Sequence, residues 1–195
     1  MTRLTTHKCI EGWTNCINQL RIKADVVFIG DSLTYNAKLA DVFPDYTVAN
    51  LGLRGDAVQG VIDRIEQIKA LRPSKLFIMI GLNDVGSTPV DDFYLKYSVL
   101  VERLLSFMGK GEIYLQSILP VNSINYNISC DYRQVAVYNS VIQRIATEKQ
   151  IAFINLYELY SSGDCLLPYY TNDGIHLKDD AYTLWYDTLK TILNG

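Results

Sequence analysis

The chain has 195 residues, 49% of them hydrophobic and 20% charged. That is the balance of one ordinary domain with a buried core, and it excludes a disordered chain, a collagen-like repeat and a disulfide-stapled miniprotein. A formal net charge of −3, with Lys and Arg scattered instead of blocked together, gives no footprint for polyanions, so nucleic acid is not an expected partner.

Cys9, Cys16, Cys130 and Cys165 form neither a Cys-x-x-Cys pair nor a Cys/His cluster, so no metal site is expected and reduced thiols are the simplest reading. Met1 to Lys8 lacks the apolar stretch of about 7–15 residues of a signal peptide, and no run approaches the roughly 20 apolar residues of a membrane span. The expected location is cytoplasmic, or secreted if a leader was removed. Asn127-Ile128-Ser129 is a formal glycosylation sequon that carries no weight by itself. With no repeat, linker or shift of composition, residues 1–195 read as a single domain, residues 1–24 being an N-terminal extension or a helix packed on it.

In chain order, Val26–Ile29 is a continuous apolar run ending in Gly30, the pattern of a strand buried on both faces. Tyr46–Ala49 is a second candidate strand. Val58, Ile62, Ile65 and Ile68 then step by three and four, an amphipathic helix with Asp56 as a candidate cap. Leu76–Ile80, closed by Gly81, is a third strand, and Phe93 to Met108 a second long helix. Ile113–Leu115, with Ile118 beyond, is a fourth strand; Val137, Val141, Ile142 and Ile145 mark a helix; Ile151–Ile154 is a fifth strand. Ala181 to Leu193 closes the chain as a helix with Asp179 as candidate cap. Strands alternating with helices predict an α/β protein with a parallel sheet, whose ligands bind beyond the carboxyl ends of the strands.

Polar turns stand at those ends: Gly30-Asp31-Ser32-Leu33, Asn50-Leu51-Gly52-Leu53-Arg54-Gly55-Asp56 and Gly81-Leu82-Asn83-Asp84. Asn172-Asp173-Gly174-Ile175-His176 precedes the last helix and holds one of two histidines, the other being His7. A serine needs a base to take its proton, and an imidazole serves best when a carboxylate fixes its tautomer. Ser32, His176 and Asp173 supply those three roles. A tetrahedral intermediate also needs oxyanion donors, worth about 2.7–4 kcal/mol each; the candidates are the Ser32 N–H, the Gly52 N–H and the Asn83 amide, with Gly52 free of a Cβ that would hinder substrate.

These four blocks, in this order, resemble those of the SGNH hydrolases, the GDSL esterases and lipases. Ser32 matches the family nucleophile, Gly52 the oxyanion glycine, Asn83 the oxyanion asparagine, and Asp173 with His176 the Asp-x-x-His pair. The resemblance spans about residues 25 to 193. The stretches Asn50–Asp56 and Asp173–Leu177 look most like the branch of platelet-activating-factor acetylhydrolase-type and bacterial carbohydrate esterases. The resemblance implies a flavodoxin-like three-layer α/β/α fold with a central five-stranded parallel sheet, and hydrolysis of small acyl esters without metal or cofactor.

Each block has a plainer reading. Asp31 or Ser32 is also a helix cap, and Asp31 either holds the turn or meets substrate; Asn83-Asp84 is also an Asx-type turn, with Asp84 structural. Arg54 and Asp56 either position substrate or pair with each other. Asn139 either braces the site from beneath or is an ordinary polar helix residue, and Tyr126, Tyr132, Tyr169 and Tyr170 form either a sugar platform or core and edge packing. Gly109-Lys110-Gly111 lacks the remaining spacing of a phosphate loop, and the Gly-x-Ser-x-Gly elbow of α/β-hydrolases is missing. The expected substrate is a small-molecule ester, an acetylated sugar, because the resemblance points to that branch and no lid insertion or long apolar loop is evident. An acyltransferase, a lysophospholipase or thioesterase activity, and a non-catalytic binding module are the alternatives. Tyr182, Trp185 and Tyr186 pack either on the sheet or on a second subunit, which leaves a homodimer open.

Overall fold

The computed structural model describes residues 14, 16, 18, 22–128 and 132–194. His7, Cys9 and Cys130 lie outside the described residues, as does most of the 1–24 extension and Ser129 of the sequon; among the described cysteines, Cys16 and Cys165 are free thiols.

The apolar runs become strands because both of their faces are covered. In chain order the elements are β1 (Val26–Gly30), α1 (Ser32–Asn36), α2 (Leu39–Val42), β2 (Val48–Gly52), α3 (Val58–Asp63), α4 (Ile65–Leu71), β3 (Lys75–Met79) and α5 (Val90–Leu105). There follow β4 (Ile113–Gln116), α6 (Val135–Lys149), β5 (Ala152–Ile154), α7 (Tyr157–Tyr160), a short hairpin of β6 (Ser161–Ser162) and β7 (Cys165–Leu166), and α8 (Tyr182–Asn194). Strands β1 to β5 form one parallel sheet in the order β2-β1-β3-β4-β5, flanked by helices as an α/β/α sandwich. The chain winds from β1 out to β2 and then returns past β1 to β3, so right-handed crossovers put helices on opposite faces and open a crevice beyond the ends of β1 and β3.

Three rings in register tie the sheet together. Phe28 of β1 pairs with Phe77 of β3, and Phe77 with Tyr114 of β4; their ring centroids are 5.1 and 4.6 Å apart. On α8, the buried Trp185 donates its indole N–H to Gln116 Oε1 at 2.6 Å, and Tyr182 donates its hydroxyl to the Leu33 carbonyl at 2.8 Å. Tyr182 and Trp185 therefore pack on this chain's own sheet and on α1. Among the described residues no helix is long and apolar enough to cross a membrane.

Three expectations need correction. The second strand is Val48–Gly52 and not Tyr46–Ala49. The single helix over Val58–Ile68 is two helices, because Arg64 leaves helical geometry (φ −114°, ψ 19°) where its guanidinium turns inward to Asp56. Asp56 does not cap α3: the N-cap is Ala57, and the Val58 N–H donates instead to Asp84 Oδ2, 3.0 Å away. The predicted cap Asp179 holds Lys38 at 2.7 Å.

Candidate active site

Ser32 opens α1, where the chain turns off the end of β1. Asp31 caps that helix by accepting the Leu33 N–H at 2.9 Å. As the first helical residue, Ser32 has no intrahelical acceptor for its own N–H. The other end of this short helix is tied by a residue that sequence reasoning gave no role: Asn50 Nδ2 donates to the Thr34 and Ala37 carbonyls at 2.8 and 3.1 Å. An asparagine two residues before a glycine at a strand end was the available signal.

The Ser32 hydroxyl lies 2.9 Å from His176 Nε2, and His176 Nδ1 lies 2.7 Å from Asp173 Oδ2. The loop that carries the pair is built from backbone donors. Asp173 Oδ1 accepts the Ile175 and His176 N–H groups at 2.9 and 2.7 Å, and the buried Thr171 hydroxyl accepts the Gly174 N–H at 2.9 Å. Gly174 has φ +85°, and a Cβ there would lie 2.7 Å from the Asn122 carbonyl, so only glycine fits. Asn122 in turn donates its N–H to the Gly174 carbonyl at 2.8 Å, pinning the loop to the segment after β4.

Partial burial pushes Asp173 up, but the hydrogen bonds from the His176 ring, His176 N–H and Ile175 N–H outweigh it and bring its pKa down to about 2. The carboxylate is thus ionised and accepts only. His176 Nδ1 must therefore donate to it, and in the neutral ring Nε2 is then the acceptor that faces the Ser32 hydroxyl.

Asn83, at the end of β3, donates one amide hydrogen to the Asp56 carbonyl at 2.8 Å, which orients the amide and leaves its second hydrogen for a ligand. Beneath it, Arg64 forks onto Asp56 Oδ2 at 3.0 and 2.7 Å with both side chains almost fully buried. Asp84 is likewise buried and takes the Val58 N–H and, at 3.3 Å, the Thr88 hydroxyl. The turns after β2 and β3 are in effect one clamp.

Gly52 differs from expectation. A Cβ at this position would collide with the backbone N of Tyr35 and lie 2.7 Å from the Thr34 carbonyl carbon, so the close seat of α1 by itself requires glycine there. Its N–H already donates to Asn50 Oδ1 at 2.9 Å; an oxyanion would share that hydrogen as a second acceptor. Arg54 and Asp56 do not pair: Asp56 belongs to Arg64, while Arg54 donates to Asn36 Oδ1 at 2.8 Å and lies over the Tyr35 ring. Asn139 is buried and grips both backbone groups of Ile118, at 2.7 and 2.9 Å, just beyond β4. Of the tyrosines, Tyr169 is exposed and leans on Tyr170, whose ring meets buried Tyr160, and Tyr126 donates to the Thr171 carbonyl at 3.3 Å.

Asp31 is 2% exposed, which favours the turn-holding reading over contact with substrate. Burial, opposed by the Leu33 N–H bond and the nearby His176, pushes its pKa up to about 6. In the unfolded chain it titrates near 3.9, so between about pH 4 and 6 the folded state holds a proton that the unfolded state has lost. Stability from this group therefore falls as pH rises through that window, by up to ~3 kcal/mol. Asp31→Asn keeps the acceptor for Leu33 without the charge, and urea unfolding at pH 4.5 and 7 is expected to show a smaller decline than wild type; an equal decline would count against this assignment.

A serine, an imidazole and a carboxylate in one hydrogen-bonded chain at the carboxyl edge of a parallel sheet define the layout of a serine hydrolase. The GDSL-like lipase/acylhydrolase family profile matches residues 28–184, and the chain belongs to that family and is an esterase-type hydrolase. Its fold is similar to that of a Streptococcus pneumonia protein described as a platelet activating factor (24% identity, 95% of this chain and 91% of that one, TM-score 0.81). It is also similar to a GDSL-like lipase from Bacteroides thetaiotaomicron (24%, 87% of each chain, TM-score 0.76). A third similar structure is an acetyl xylan esterase from Geobacillus stearothermophilus (21%, 88% of this chain and 95% of that one, TM-score 0.67). None of the curated proteins matches the chain significantly.

Proposed function

We propose that the chain hydrolyses short-chain acyl esters, acetyl groups on a carbohydrate in particular, through an acyl-enzyme on Ser32. The observation that carries the reading is the run from Ser32 Oγ to His176 Nε2 at 2.9 Å and from His176 Nδ1 to Asp173 Oδ2 at 2.7 Å. In this reading Ser32 Oγ bonds to the acyl carbon while its proton passes to His176 Nε2, and Asp173 steadies the imidazolium. The Ser32 N–H and the second Asn83 amide hydrogen meet the oxyanion, with the Gly52 N–H as a shared third donor. The ester C–O bond then breaks, His176 returns the proton to the leaving alcohol, and a water deprotonated by His176 releases the acid from Ser32.

The acetyl preference is supported by the acetyl xylan esterases among similar folds. The test is a panel of p-nitrophenyl acetate, butyrate and palmitate with acetylated xylose beside them. Acetate and acetylated sugar are expected to exceed palmitate in kcat/KM by about a hundredfold or more, the scale of a pocket that excludes several methylenes. Equal turnover of palmitate would refute the acyl length.

A further inference from the structure

Arg54 is a cation with a prepared position and, among the described residues, no carboxylate partner. It stands two residues beyond Gly52, in a turn fixed by the Leu53 N–H to Gly30 carbonyl bond at 3.0 Å and the Asp56 N–H to Leu53 carbonyl bond at 3.1 Å. Its guanidinium carbon lies 4.8 Å from the centre of the Tyr35 ring, and one N–H is spent on Asn36 Oδ1 at 2.8 Å. Tyr35 and Asn36 belong to the same short helix that Ser32 opens, and Tyr35 is the residue whose backbone touches Gly52. Arg54 is therefore strapped to the nucleophile's own helix, on its exposed side, with Tyr35 52% and Leu53 43% exposed beside it.

The acidic residue two positions on in the same turn, and the one that holds the neighbouring Lys38, are committed elsewhere. Asp56 is buried against Arg64, and Asp179 holds Lys38; among the described residues no carboxylate lies within ion-pair distance of Arg54. A guanidinium stacked on an aromatic face loses little further freedom when a planar oxyanion docks on its remaining N–H groups, and its fork matches a carboxylate. With an acetyl group as the acyl part, the only place for such an anion is the alcohol part of the ester.

We propose that Arg54 is a specificity-determining residue that receives a carboxylate on the alcohol side of the substrate, so that the chain favours acetyl esters of sugar acids and other carboxylate-bearing alcohols over neutral ones. This rests on the esterase reading above and names its substrate class.

The test compares kcat/KM for 4-acetoxybenzoate and the neutral, isosteric 4-acetoxybenzamide in wild type, Arg54→Gln and Arg54→Lys. Taking the ratio within each protein removes any general damage to the site. The carboxylate-to-amide ratio is expected to fall roughly tenfold in Arg54→Gln, the scale of one charge-assisted pair. It is expected to be partly kept in Arg54→Lys, and to shrink in wild type at about 1 M sodium chloride. A ratio unchanged by Arg54→Gln would overturn the proposal. Binding of 4-hydroxybenzoate to Ser32→Ala, with and without Arg54→Gln, gives a readout independent of turnover. Weaker binding of the acid, but not of 4-hydroxybenzamide, supports the site, and equal binding of the acid removes it. If wild type hydrolyses neither ester, the esterase reading fails, and the carboxylate site stands or falls on that binding comparison alone.

Discussion

Ser32→Ala is expected to lower ester turnover by at least about four orders of magnitude while unfolding within ~0.5 kcal/mol of wild type. The hydroxyl bonds only His176 Nε2 among the described side chains, and the helix cap belongs to Asp31, so alanine removes the proposed nucleophile and leaves the turn in place. The Ser32 N–H and the Asn83 amide are untouched by the change, and residual catalysis above water would come from them. Hydrolysis of p-nitrophenyl acetate, read beside a urea melt of the same preparation, decides the matter. Turnover surviving in a folded Ser32→Ala protein would place the nucleophile elsewhere.

Arg64→Ala should produce the largest loss of stability. Arg64 and Asp56 are 4% and 6% exposed, and their closest approach is 2.7 Å. Removing the guanidinium strands a carboxylate in the interior, at a cost of about 3–5 kcal/mol, which for a chain of this size is a fall in Tm of roughly 10 °C. The damage should also reach the site, because the Asp56 carbonyl holds the Asn83 amide. Replacing both partners by apolar residues, Arg64→Met with Asp56→Leu, is expected to restore most of the stability, since no unpaired charge is then left inside. If Arg64→Ala melted within 2 °C of wild type, the pair would be a bystander and the clamp between the turns after β2 and β3 would rest on the Asn83 and Asp84 bonds without it.

The contrast between these two sites bears on what could be read in the sequence. Ser32, Asn83, Asp173 and His176 were legible because each follows a strand or precedes the last helix, and strands buried on both faces announce themselves as unbroken apolar runs. The second strand was placed too early, at Tyr46–Ala49 instead of Val48–Gly52. Thr47 already accepts from Asp25 and Val26 before the ladder begins, so its pairing lies outside the strand proper. Arg64 was not legible, because the apolar steps at Val58, Ile62, Ile65 and Ile68 continue across the break that its side chain creates. Asn122 and Thr171 act through hydrogen bonds from loop positions, and such bonds have no period by which a sequence could show them. The β6–β7 hairpin, two residues to a strand, is too short to carry an alternating pattern.

The seat of α1 against Gly52 has a bearing on how this molecule can change. Backbone meets backbone there, with no side chain between them that a substitution could lengthen, shorten or turn. The depth of Ser32, the proposed nucleophile, is consequently a built-in dimension that core mutations cannot adjust by degrees. Leu53, Arg54 and Tyr35 stand just outside that fixed floor and are exposed, so under the proposed carboxylate site they are the positions at which single substitutions would alter taste for a substrate without disturbing the chemistry underneath. A lineage starting from this chain would diversify around the rim of the crevice.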